Sequence, residues 1–167
     1  MLLFQIILVF CIALTAFAAF SDARTFKIPN WISLLLILLY PVAVIFCPEK
    51  LDWVGGIMAA TAILVVGFIL FATRILGAGD VKFLTALGLW SGTALITPFL
   101  FSVAMAGGVL VVVMFIGAVI RNRGKKGSFL ISFRETAGSK IPVPYGVAIA
   151  IGSTTIFYQY AMLAGLI

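Results

Sequence analysis

Long apolar runs alternate along this chain with short polar breaks. The runs cover residues 2–20, 31–46, 53–73, 80–93, 97–120 and 143–163. A helix needs about 20 apolar residues to span a bilayer. The pattern therefore predicts an all-α, polytopic membrane protein with six transmembrane helices, forming a single membrane-embedded domain over residues 1–167. The breaks carry their own signals. Pro29 disfavours helical geometry at Ile28 and suits the first turn of the second helix. Pro48, Glu49, Lys50 and Asp52 make a polar hairpin after it. Between the third and fourth helices, Gly77 and Gly79 open backbone angles that other residues avoid, and a positive φ is expected there. Pro98 is tolerable in the first turn of the fifth helix. The fourth run is short: its ~11 residues from Asp80 rise about 16 Å, against roughly 30 Å of hydrocarbon. Either this helix continues through residues 91–93, or Asp80 sits below the membrane surface.

Composition sharpens the class. The chain is 64% apolar and 10% charged, where soluble domains carry roughly 45–50% and about 25%. Disordered chains, soluble nucleic-acid modules and disulfide-stapled domains are excluded. The net charge of +6 is read as orienting basic loops, with no nucleic acid as partner. No Lys or Arg precedes the first run, so it is expected to be a retained helix rather than a cleaved signal. With six helices, Arg24, Lys27, Arg74, Lys82, Arg121, Arg123, Lys125, Lys126, Arg134 and Lys140 share one face, and Lys50 stands alone on the other. That asymmetry places the basic face in the cytoplasm and both termini outside. Cys11 and Cys47 lie in or beside apolar runs without a CxxC pair; they read as packing residues, with no zinc and no disulfide.

The chain has no His, the commonest general base and metal ligand, so chemistry falls to other residues. Asp22 and Asp80 sit at the cytoplasmic ends of membrane helices. Read singly, Asp22 is a solvated loop residue beside Arg24, at the unfavourable end of a helix dipole, and Asp80 is an N-cap. Read together, they face one aqueous boundary, where ionisable groups are rare and mark function. Two carboxylates brought close share one proton. The pair then supplies a base to activate water and an acid to protonate a leaving amine. Neither metal nor cofactor is needed for that. Glu49, Asp52 and Glu135 read as solvated loop residues.

At these residues a resemblance emerges. Gly77-Ala78-Gly79-Asp80 matches the GxGD motif of membrane-embedded aspartic peptidases, and Val81 and Lys82 extend it to GxGDxK, which resembles the type IV prepilin peptidases. Asp22 followed by Ile28-Pro29-Asn30 is similar to that family's first motif. Pro144-Tyr145-Gly146, with Ala148 and Ala150, is similar to its Pro-x-Gly segment opening the last helix. The resemblance covers most of the chain. It implies Asp22 and Asp80 as the catalytic pair, Gly77 and Gly79 as shapers of the turn that presents Asp80, and Lys82 as a motif residue balancing charge near the pair. It further implies an endopeptidase of the inner (plasma) membrane that removes a basic leader from a prepilin with a single apolar helix, at the cytoplasmic face. Larger members carry a cysteine-rich segment and methyltransferase activity. This chain resembles the short, peptidase-only branch of the Flp/Tad pilus type, and the archaeal preflagellin peptidases are also similar.

Two rivals belong to other classes. A small transporter would use Asp22 and Asp80 as proton or cation sites, but both lie on one face, and no paired interrupted helices mark an inverted repeat. A structural subunit of a secretion complex leaves Gly77 to Asp80 unexplained. The basic loop 121–140 reads as a surface loop against anionic lipid, with Phe129 to Phe133 on the membrane surface or acting as a gate.

Overall fold

A computed structural model describes residues 2–46, 51–121 and 143–165. The described residues form helices α1 (Leu2–Thr25), α2 (Asn30–Phe46), α3 (Trp53–Ala72), α4 (Ala78–Arg121) and α5 (Tyr145–Leu163), with no strand among them. Four of these, α1, α3, the stretch Ala78–Gly117 of α4, and α5, are long and apolar enough to cross a membrane; α2 is a shorter apolar helix. Cys47, Glu49, Lys50, Glu135 and nearly all of the loop 121–140 lie outside the described residues.

Two boundaries differ from the hydrophobic pattern. The first helix runs on through the polar residues 21–25, so Asp22 belongs to its last turn rather than to a loop. The predicted fourth and fifth helices follow each other without a linker as the two limbs of α4, which break at Gly92 (φ 58, ψ −168). The pattern left open whether the fourth helix stops at Trp90 or continues through residues 91–93. The helix continues to Ser91 and breaks at Gly92, where a positive φ costs least.

The chain reverses at that break. A Cβ on Gly152 would lie on Val103, and one on Gly107 would lie 3.8 Å from Ala148, so the second limb of α4 runs antiparallel to α5. The first limb runs the other way, from Asp80 near the start of α5 to Trp90, whose carbonyl accepts from Tyr160 Oη at 2.8 Å. Trp90 is fully buried and also donates from Nε1 to the Leu36 carbonyl at 3.0 Å, tying α2 to α4 and α5.

Asp52 pins the reversal. Its Oδ1 accepts from the Gly55 N–H at 2.9 Å, and its Oδ2 from the Thr93 N–H at 3.1 Å and Oγ1 at 2.7 Å. One carboxylate thus caps the N-termini of α3 and of the second limb of α4. Asp52 is exposed, as the pattern of the turn implies, and has this capping role in addition. These three bonds, first that from the Thr93 hydroxyl, hold its carboxyl below the usual carboxylate range.

Helices meet through small residues. A Cβ added to Gly67 would come within 2.8 Å of Val81, and one on Gly88 would collide with Ile63, so α3 and α4 approach at glycine notches. Close backbone approach supplies the dispersion contacts that hold helices together where lipid is as apolar as the protein. Outward faces are apolar, with Phe68, Met58, Phe101 and Val109 exposed, as suits a surface solvated by lipid. Gln5 Nε2 donates to the Ala164 carbonyl at 2.8 Å. The start of α1 and the end of α5 therefore lie together, at the end of the bundle away from Asp22.

Candidate active site

Asp22 is 4% exposed in the last turn of α1. Phe26 ends that helix in a left-handed conformation (φ 53), its N–H donating to the Asp22 carbonyl at 2.9 Å. The side chain of Asp22 points across to α5, where Oδ2 accepts from the Gly146 N–H at 2.7 Å. The Gly146 N–H is one of the first-turn N–H groups of α5 that have no partner within the helix. The positive end of the α5 dipole thus offsets the unfavourable end of α1 on which Asp22 sits. A solvated loop carboxylate beside Arg24 is not what the structure contains; the Arg24 guanidinium lies 4.3 Å from the centre of the Phe20 ring.

Asp80 is the third residue of α4, not its N-cap. Its Oδ2 accepts from the Gly77 N–H at 3.3 Å, the back-reaching half of a capping box. The expected positive φ is at neither Gly77 nor Gly79; it is at Arg74 (φ 61), where α3 ends. Gly77 has a different constraint. A Cβ there would lie 2.8 Å from Asp80 Oδ2, whereas one on Gly79 would make ordinary contacts with Ile28, the nearest at 3.7 Å.

The two carboxylates line one open cleft of about 500 Å³, together with Phe26, Arg74, Gly77 and Tyr145. Buried Ile28 has its Cδ1 where a Gly146 Cβ would go and its Cβ and backbone against Gly79. Lys82 is bound to neither carboxylate in the hydrogen bonds of the described residues. Its Nζ donates to Asn30 Oδ1 at 3.2 Å and so ties the first turns of α4 and α2. The short turn from Ile28 to Asn30 therefore touches the starts of both α4 and α5.

Sequence reasoning placed Gly146 in a family-like segment without giving it a role. Its N–H holds Asp22, and an added Cβ would meet Asp22 Oδ2 at 2.8 Å, Asp22 Cβ at 3.0 Å and Ile28 Cδ1 at 2.7 Å. The available signal was a proline and a glycine opening a helix. Among the described residues, no group of three or more His, Cys, Asp or Glu side chains is placed to hold a metal ion. Two carboxylates lining one open cleft are chemically able to take a proton from a water and return one to a leaving group.

A family profile described as the type IV leader peptidase family matches residues 8–121, a stretch that includes Asp22, Gly77, Gly79, Asp80 and Lys82. No curated protein and no solved structure matches the chain.

Proposed function

The chain belongs to the type IV leader peptidase family, and from that premise we propose that it is a membrane aspartic endopeptidase whose catalytic pair is Asp22 and Asp80. The observation that carries this reading is their meeting in one cleft, from helices 58 residues apart in sequence (80 − 22). One carboxyl, ionised, takes a proton from water; the other, protonated, gives one to the leaving amine. The substrate is a type IV-like prepilin of the Flp/Tad kind, with a short basic leader followed by one apolar helix. Its scissile bond lies where leader meets helix, at the cytoplasmic face of the inner (plasma) membrane, with both termini of the peptidase outside. The two cysteines of the chain make no cysteine-rich segment, and the activity is peptidase without methyl transfer. No cofactor takes part.

Purified protein in detergent and a synthetic prepilin test this by gel shift. Asp22→Asn and Asp80→Asn are each expected to abolish leader removal while accumulating in the membrane at the parent level, because an amide is neither the base nor the acid. Full processing by either variant overturns the assignment.

A further inference from the structure

Two residues of the cleft hold a backbone conformation that their side chains disfavour. Among the described residues, the non-glycine positions with positive φ are Phe26 (φ 53) and Arg74 (φ 61). Both line the cleft that contains Asp22 and Asp80. Each ends a helix. At Arg74 the arrangement is a Schellman motif: its N–H donates to the Phe71 carbonyl at 2.9 Å, and the Ile75 N–H donates to the Leu70 carbonyl at 2.9 Å. Glycine is the residue usually found at that place, because a Cβ is crowded in the left-handed region. Backbone geometry alone selects glycine at 26 and 74. The chain carries a ring that is 47% exposed and a guanidinium instead. Residues kept in a disfavoured conformation at a site are kept for what their side chains do there.

The chemistry of the two side chains says what they meet. Among the described residues the Arg74 guanidinium has no hydrogen-bond or ion-pair partner. It presents five N–H donors in a rigid fork and accepts nothing, so its ligand is an oxygen. A basic leader is repelled by it. The part of the substrate that reaches Arg74 is therefore the main chain around the scissile bond, which must be extended to enter a cleft and which offers unpaired carbonyl oxygens. Phe26 stands on the same cleft as an exposed apolar surface for the side chains that flank the bond.

We propose that Phe26 and Arg74 are substrate-binding residues, with Arg74 holding main-chain carbonyl oxygens of the extended segment and Phe26 packing against its apolar side. This rests on the reading of Asp22 and Asp80 as the catalytic pair. The test uses the full chain in detergent and a synthetic substrate with a basic leader and an apolar helix. Arg74→Gly is expected to melt at or above the parent temperature, because the left-handed position is relieved. Its KM is expected to rise about tenfold or more, the loss of a charge-assisted hydrogen bond. Arg74→Asn, which also tolerates the left-handed region, is expected to show the same rise, separating the guanidinium from glycine's flexibility. Phe26→Gly is expected to raise KM, and Phe26→Leu to restore it. Parent KM in both Arg74 variants overturns the proposal, as does a lower melting temperature in Arg74→Gly. A second substrate without Asp or Glu is expected to show the same Arg74 effect; its disappearance there overturns the main-chain assignment. If the parent protein leaves both substrates intact, the peptidase reading falls and this inference with it. If the parent cleaves and the variants match it, this inference falls alone.

Discussion

Gly146 shapes the site at the scale of single residues by what it leaves open. Its N–H grips Asp22, and any Cβ there would press on the Asp22 carboxylate, the Asp22 Cβ and Ile28 at once. Gly77 has one such neighbour, the end of the Asp80 carboxylate, which can turn aside; Gly79 has only ordinary contacts. Cleavage rates, normalised to folded protein, are therefore expected to fall in the order Gly146→Ala, Gly77→Ala, Gly79→Ala. The first is expected to lose on the order of 100-fold, the effect of displacing a catalytic group by about 1 Å, and the last to stay near the parent. A large loss in Gly79→Ala with a parent rate in Gly146→Ala would reverse the order and discard the steric account. The motif pattern alone marks Gly77 and Gly79 alike and leaves Gly146 without a role. It shows which glycines are grouped and is silent on which of them touches a carboxylate.

Among the elements, the reversal at Gly92 decides whether the chain has one long helix or two that face each other, and Asp52 is what pins it. The Asp52 carboxyl is held below the usual range by the Thr93 hydroxyl first, then by the Gly55 and Thr93 N–H groups. A folded-state value below the unfolded one adds stability that is present above the unfolded value, about pH 4, and is lost as pH falls through the folded one. Thermal unfolding in detergent is thus expected to show a fall in melting temperature below about pH 4 that Asp52→Asn lacks, together with a lower melting temperature for Asp52→Ala at neutral pH. Matching acid profiles in parent and Asp52→Asn would remove the staple. A carboxylate in a turn is visible in sequence, but the turn's partner 41 residues away is not, because capping across elements depends on which helix start is folded beside it.

For the whole molecule, the first limb of α4 sets the depth of the site. Its ~14 residues before Gly92 rise about 21 Å, short of a roughly 30 Å hydrocarbon core. Continuation past Trp90 lengthens this helix without reaching a full span, so Asp80 is expected below the mean membrane boundary. Asn30 and Lys82, which open α2 and follow Asp80, are joined at the same end. The start of α1 and the end of α5 meet at the other. Both termini are expected outside and the loop 121–140 in the cytoplasm, on six spans. Reporter fusions after Ile167 and within that loop check this, and a cytoplasmic signal from the C-terminal fusion would break the orientation or the span count.

The sequence by itself determined the class of solvent this chain folds in, the positions of its apolar helices and the candidate pair Asp22 and Asp80. Those properties are local: an apolar run is legible wherever it lies, and a carboxylate at a helix end in lipid is conspicuous wherever it points. Only the tertiary structure decided that α1 extends to carry Asp22, that the fourth apolar run turns back at Gly92, and that Gly146 holds Asp22 on the cleft that Asp80 also lines. It also put Phe26 and Arg74 in the left-handed region on that cleft. Each of these is a relation between elements far apart in the chain. Such relations follow from the closeness at which helices pack and from which N–H and carbonyl groups remain free at their ends, and neither is encoded in the order of apolar and polar residues.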